Sequence, residues 1–385
     1  MLKITSAIFS IITLIALTSM IPFYEGIPNS ETPQLPEISF DYEVDLPDYI
    51  NGNSNSFSTI TNEGATLGRV LFYDKKLSND NSLSCASCHK QEFSFADNKA
   101  LSLGISKTHT SRNALTITDL AWVTNDGLFW DRRQVDLKKV VLEPILNPTE
   151  LGANMGDLIK ELKGTDYYQD LFSNAFGSTE ITEEKIADAL AQFIQSIASF
   201  ESKFDKGLRN DFDDFTKGEL NGLVLFQSNC GDCHLGSMGA NNMRKAINPK
   251  KANHPKKAVN GNGSSYSMRS GFTNGLDSEP TDLGMGGWTN EPNYVGVFKA
   301  PHLRNIELTK PYMHDGRFET LEEVVDFYSD GLQSHPNSHY TVFENDKKGL
   351  NFSAEEKKDL IDFLKTLSDT NYLTDEKWSD PFVSN

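Results

Sequence analysis

The sequence predicts a mainly α-helical protein of two domains, with long loops and little or no β-structure. Three observations carry this. Apolar residues recur at helical spacing in several stretches, and none of any length alternates with the period of two that a half-buried strand needs. One short cysteine motif occurs twice, 145 residues apart. At 385 residues the chain fits two domains of ordinary size, and 24 phenylalanines are enough for their cores.

From the N-terminus, Met1-Leu2-Lys3 precedes an uncharged, largely apolar stretch from Ala7 to Ile21. Its length is short for a membrane span and right for a signal-peptide core. Residues 1–21 therefore read as a signal peptide. Because no small-x-small cleavage site follows, an uncleaved anchor tethering the chain to a membrane is the alternative. Residues 22–55, with Pro, Ser, Asn and Asp, read as a flexible tether. Residues 56–215 and 216–385 are expected to form the two domains.

Within the first domain, Glu63 to Leu77 places Leu67, Val70 and Leu71 on one helical face. Asn154–Lys163 and Asp166–Phe176 read as two shorter helices. A longer one is expected from Glu183 to Lys206, with a core stripe of Ile186, Leu190, Phe193, Ile197, Phe200 and Phe204. In the second domain, Thr216 with Glu219 forms a capping-box signal ahead of Leu220, Leu223, Val224 and Phe226. Thr320 with Glu323, and Ser353 with Glu356, mark helices starting near Leu321 and Ala354.

All four cysteines fall in the repeated motif: Cys85-Ala86-Ser87-Cys88-His89 and Cys230-Gly231-Asp232-Cys233-His234. Cys-x-x-Cys-His is the attachment signature of c-type haem. Two thioethers and one imidazole must reach one porphyrin from a single turn, with the His as proximal iron ligand. A tetrathiolate zinc site would leave the two adjacent histidines to coincidence, and disulfides would close strained small loops. Two covalently bound haem c groups are the expected cofactors, in an exported, periplasmic protein.

The net charge of −18 argues against a nucleic-acid partner, which would demand a positive surface. From Leu235 to Leu276 no acidic residue occurs, while Arg244, Lys245, Lys250, Lys251, Lys256, Lys257 and Arg269 do. This basic island reads as a solvated surface loop, with a docking site for a partner as the alternative.

Further segments accompany the haem motifs: Phe93-Ser94-Phe95-Ala96-Asp97, Arg112-Asn113-Ala114, Phe129-Trp130-Asp131 and Pro144-Ile145-Leu146-Asn147-Pro148-Thr149-Glu150. The second half adds Phe298-Lys299-Ala300-Pro301-His302-Leu303-Arg304-Asn305 and Pro311-Tyr312-Met313-His314-Asp315-Gly316. Together they resemble the bacterial di-haem cytochrome c peroxidase family, including its MauG branch, from about Thr61 to Leu367.

The resemblance implies roles one residue at a time. His89 would ligate the N-terminal haem, where peroxide binds, and His234 the C-terminal haem. Glu150 matches the distal acid–base carboxylate, which must take a proton from one peroxide oxygen and hand it to the other. Trp130, 20 residues before it, matches the tryptophan that carries electrons between the haems. Arg133 fills an arginine position implied to partner a haem propionate, although Arg132 replaces the usual Gly. A calcium ion between the domains would be held by the Asn113 side chain and the carbonyls of Thr309 and Pro311, all oxygen ligands as that hard ion requires.

Two departures stand out. Prototypical members close the resting peroxide site with a loop histidine; the matching position here is Ile105, in Gly104-Ile105-Ser106-Lys107-Thr108-His109. An open site is expected, with His109 as the substitute if it is closed. Prototypical members also place a methionine 14 residues after the His-Asp-Gly histidine; counting from His314 gives Tyr328, the MauG-branch residue. An oxygen ligand favours oxidised iron and implies a lower potential. Met313, Met285 and Met268 are the rival ligands. His314 reads as a group near a propionate or interface, and His302, His335 and His339 as ordinary loop histidines.

The functional expectation is reduction of hydrogen peroxide to water with electrons from a small cytochrome c or cupredoxin. A MauG-like oxidase acting on a protein or other substrate is the second reading, and a non-catalytic di-haem carrier the third. A homodimer is implied by family analogy alone.

Overall fold

The structure, a computed structural model, describes residues 30–50, 58–123, 127–234, 273–338 and 349–383. Residues 1–21, expected as signal peptide or anchor, lie outside these, as do Met268, His339 and the basic island through residue 272. No helix among the described residues is long and apolar enough to cross a membrane.

The architecture is mainly α. Among the described residues, β-structure is limited to isolated bridges such as Lys90 with Ala96 and Leu103 with His109. Helix α1 (Asn62–Tyr73) starts where the Thr61 hydroxyl accepts the Gly64 N–H. It is followed by α2 (Leu120–Val123), α3 (Leu137–Leu146), α4 (Met155–Lys163), α5 (Asp166–Phe176) and α6 (Glu183–Ser196). Then come α7 (Lys203–Arg209), α8 (Lys217–Asn229), α9 (Gly231–His234), α10 (Gly286–Thr289), α11 (Leu321–Asp330) and α12 (Ala354–Lys365). The expected capping boxes at Thr216, Thr320 and Ser353 all form.

The two largest apolar cores among the described residues are separate. The first joins Leu67, Val70, Leu71 and Phe72 of α1 to Leu190 and Phe193 of α6. The second joins Leu223 and Phe226 of α8 to Leu360, Phe363 and Leu364 of α12. Each core has the same construction. A glycine on the helix preceding the cysteine motif lets its partner's backbone approach directly: Gly68 faces the Ala189 carbonyl, and Gly222 faces the Asp359 carbonyl. Any side chain there would hold the helices apart.

One expectation needs correction. The helix expected from Glu183 to Lys206 ends at Ser196, because the buried Asp119 carboxylate takes the Ser199 N–H (2.7 Å) and hydroxyl, while Ser202 and Asp205 form a capping box that starts α7. Phe204 then packs in the second core, and Tyr372 and Trp378 near the C-terminus pack in the first. Within the segment expected as a flexible tether, residues 30–50 are mostly exposed and carry a few aromatic anchors. Tyr42 is fully buried and donates to the Lys377 carbonyl (3.0 Å), and Tyr49 donates to Asp205 (2.7 Å).

Arg304 locks the two halves. Buried, it bonds Asp119 (3.1 Å) from the first half, Asp205 (2.5 Å) from α7 and the Ser199 carbonyl (2.5 Å). Burial pushes the Asp119 carboxyl up to about 6 although Arg304 opposes it. Removing one partner of such a set is costly because a buried charge is left alone.

Candidate haem sites and the wall between them

Each cysteine motif closes a single turn. In the first, the N–H groups of Cys88 and His89 both bond the Cys85 carbonyl (3.2 and 2.9 Å); in the second, those of Cys233 and His234 bond the Cys230 carbonyl (3.2 and 3.0 Å). Both turns open on a cavity. Cys85, Cys88 and His89 line one of about 260 Å³, and Cys230, Cys233 and His234 another of about 210 Å³. Burial pushes the Cys85 and Cys230 thiols up to about 12 and the two histidines below their usual value.

The two imidazoles are oriented alike. His89 Nδ1 lies 3.0 Å from the Phe95 carbonyl, and His234 Nδ1 lies 2.8 Å from the Pro301 carbonyl. With Nδ1–H donating to a carbonyl, Nε2 would be the nitrogen that ligates iron, the arrangement common to metal-bound histidine. The cysteine pairs line different cavities, and no group of three metal-ligating side chains assembles among the described residues, so one shared zinc site does not fit. One thiol pair and one neutral imidazole per apolar cavity fit one haem c each.

The cavities share a wall containing Asn113, Trp130, Lys299, Pro301 and His302. Trp130 is fixed there: its indole N–H donates to the Asn113 carbonyl (2.9 Å), and its own carbonyl accepts the Lys299 N–H (2.8 Å). Its ring meets the edge of His314 at 6.4 Å, and His314 stacks on Phe298 at 4.0 Å. His314, buried and lining the C-terminal cavity, is held below its usual value by burial.

Glu150 lines the N-terminal cavity with His89. The Asn147 side-chain amide donates to its Oε1 (2.7 Å), while burial raises its carboxyl above the ordinary range despite that bond and Arg133 nearby. Arg133 also lines this cavity; it bonds Asp131 (3.0 Å) and Glu143 (3.0 Å) and lies over the Phe129 ring. Ile105 bonds the Glu150 carbonyl through its N–H (3.0 Å). His109 is exposed, bonds the Leu101 carbonyl (3.1 Å) and does not line the cavity.

Tyr328 lines the C-terminal cavity and accepts a hydrogen bond from the Asn274 amide (3.2 Å), which also approaches Met313 Sδ (3.7 Å). Burial pushes the Tyr328 phenol up to about 12. Of the rival ligands, Met313 lines this cavity and Met285, packed elsewhere, does not. Asn113, Thr309 and Pro311, the residues implied for calcium, line the same cavity.

Sequence reasoning missed Asn274, which lies at the end of the basic island and carries no motif. It also misjudged His302, expected as an ordinary loop histidine and found buried in the shared wall. A polar residue inside the otherwise apolar run Ala300-Pro301-His302-Leu303 was the available signal.

Two helical cores, each presenting a thiol pair and an oriented imidazole to its own cavity, define a di-haem c-type cytochrome. A sequence model of di-haem cytochrome c peroxidases matches residues 62–213. The chain is 33% identical over 305 residues to the cytochrome c551 peroxidase of Nitrosomonas europaea, covering 79% of each protein. It is 30% identical over 314 residues to the methylamine utilization protein MauG of Methylorubrum extorquens, covering 80% of this chain and 79% of that protein. Among solved structures, a MauG-like protein associated with microbial copper homeostasis superposes with a TM-score of 0.71 at 31% identity, over 88% of this chain and 99% of that one. The chain belongs to the di-haem cytochrome c peroxidase family.

Proposed function

We propose that this protein is a periplasmic peroxidase that reduces hydrogen peroxide to water with electrons from a small cytochrome c or cupredoxin. When bound, the two haems supply the redox centres for peroxide cleavage and for electron storage. The chain supplies the rest. The observation that carries this reading is Glu150: a half-buried carboxyl with a raised proton affinity, held through Oε1 by Asn147, in the same cavity as His89. Such a group is suited to take a proton from one peroxide oxygen and return it to the leaving one. Trp130, in the wall common to both cavities, is positioned to pass electrons between them. Exposed His109 and the Ile105 position favour a peroxide site that is open at rest.

Asn113, Thr309 and Pro311, lining one cavity, support a calcium site between the domains. Tyr328, half-buried and lining the C-terminal cavity, favours a second reading, a MauG-like oxidase drawing electrons from a protein or other substrate.

The test is stopped-flow mixing of the as-isolated ferric holoprotein with peroxide, followed by reduced cytochrome c. A fast Soret change without prior reduction and turnover of the cytochrome are expected. Glu150→Gln is expected to slow peroxide cleavage by roughly 10²–10⁴-fold while both haems stay attached. Normal turnover by this variant would remove Glu150 from the reaction, and cleavage without cytochrome oxidation would favour the second reading.

A further inference from the structure

His302 is a buried polar side chain that the peroxidase chemistry does not use. Its relative exposure is 5%, and among the described residues neither ring nitrogen makes a well-formed hydrogen bond, although the Thr118 backbone lies near enough to act on the ring. Leaving a buried imidazole unsatisfied costs free energy, so such a group in a native protein calls for an absent partner. His302 lines both cavities, which limits where that partner can be.

The surroundings define its charge. Lys299, three residues earlier and buried, lines both cavities, and its positive charge is felt at the His302 ring. Arg304 acts on the ring in the same sense. A cation would be repelled from this position and an uncharged apolar group would leave the nitrogens unpaired. An anionic acceptor suits both. The apolar edge of each cavity would be filled by the porphyrin face, and the carboxylates that a porphyrin brings are its propionates.

We propose that His302 is the hydrogen-bond donor for a haem propionate at the wall shared by the two haem cavities, directly or through one bound water. This rests on the di-haem reading. The imidazole holds the carboxylate in place beside Trp130 and offsets its negative charge. An uncompensated propionate would favour the more positive, oxidised iron and lower the midpoint potential of its haem. His302 is thus a positioning and potential-setting residue.

The test uses holoprotein from a host able to attach haem c, in which haem stain and iron content first establish two haems per chain. A single haem or none there would fault the di-haem reading and not the role of His302. Redox titration followed in the visible spectrum then compares wild type with His302→Phe and His302→Gln. The phenylalanine variant, isosteric but without a donor, is expected to shift the midpoint potential of at least one haem downward with haem content and helical content unchanged. The glutamine variant, whose amide donates, is expected to restore most of that shift. Unchanged potentials in the phenylalanine variant, or equal shifts in both, would overturn the proposal. If the phenylalanine variant does not accumulate, a crystal structure of wild-type holoprotein decides. A ring nitrogen about 3 Å from a propionate oxygen, or from a water shared with one, is expected; a ring bonded only to protein atoms overturns it.

Discussion

The indole N–H of Trp130 donates to the carbonyl of Asn113 at 2.9 Å, and both residues stand in the wall that separates the two haem cavities. The same Asn113 donates its side-chain amide to the carbonyls of Lys99 (3.1 Å) and Ala100 (3.2 Å), and its N–H to the carbonyl of His314 (2.7 Å). Trp130 is therefore anchored to a residue that ties segments from both halves of the chain. Trp130→Phe keeps an aromatic ring in the wall and removes the anchor. Its stability loss is expected to be about 1 kcal/mol, the value of one hydrogen bond. Electron exchange between the haems, followed by flash reduction of one and the spectrum of the other, is expected to slow with haem content unchanged. Unaltered exchange would place the electron path elsewhere.

Glu150 predicts a pH signature of its own. Its carboxyl is raised above the ordinary range, chiefly by burial. The basic form needed to accept the peroxide proton thus appears at higher pH than for an exposed glutamate, and the acid limb of kcat/KM should lie above about 4.3. Stability runs the other way. A carboxyl whose folded value exceeds its unfolded one stabilises the fold fully below the unfolded value, and that contribution is lost as pH rises through the folded value. Glu150→Gln should therefore gain thermal stability relative to wild type as pH rises above about 4.3, the ordinary glutamate value. An advantage that shrinks over that range would contradict the assigned shift.

Much of this was legible beforehand because the chemistry is local in sequence. A Cys-x-x-Cys-His turn carries its own geometry, and capping boxes such as Thr320 with Glu323 satisfy helix N–H groups within three residues. The break after Ser196 was not legible, because the periodic stripe from Ile186 to Phe204 continues across it. What interrupts it is Asp119, 80 residues away in sequence, competing for the backbone at Ser199. The anchoring of Tyr42 was hidden for the same reason: its partners, Asn62 and Lys377, lie elsewhere in the chain. His302 escaped notice because burial, not residue type, is what makes an imidazole unusual.

The two cysteine pairs serve separate cavities, so their removal should be separable. Cys85→Ala with Cys88→Ala is expected to halve the covalently bound haem and abolish reaction with peroxide. Cys230→Ala with Cys233→Ala is expected to halve it as well, while leaving a peroxide-reactive haem that cytochrome c no longer reduces efficiently. Iron quantification and haem-stained gels check the stoichiometry. Loss of all haem from either double variant would mean that the cavities do not load independently.

Tyr328 and Asn274 form a pair at the C-terminal cavity, with Met313 beside them. Burial keeps the phenol protonated well above neutral pH, and the Asn274 hydrogen bond works against that. Tyr328→Ala should alter the low-spin spectrum of one haem only. Asn274→Ala should produce a smaller change in the same bands, since it removes a hydrogen bond to the phenol oxygen and leaves that oxygen in place. An unchanged spectrum in Tyr328→Ala, with a change in Met313→Leu, would assign the ligand to Met313.

The glycines at the two helix crossings give the sharpest stability prediction. In a helix interior, alanine normally exceeds glycine by about 1 kcal/mol. At Gly68 and Gly222 a Cβ would overlap a backbone carbonyl, that of Ala189 or Asp359, and backbone cannot rotate aside as a flexible side chain can. Overpacking of this kind costs about 1–3 kcal/mol and occasionally more. The clash therefore outweighs the propensity gain, and Gly68→Ala and Gly222→Ala should each lower Tm. Gly287→Ala serves as the control, because a Cβ there would meet only the Leu283 side chain at an ordinary 3.8 Å. Because α8 leads directly into Cys230, separating it from α12 should also displace the thiols from the C-terminal cavity. Gly222→Ala is thus expected to lower occupancy of the second haem as well as Tm, and full occupancy with wild-type Tm would show that the crossing can relax.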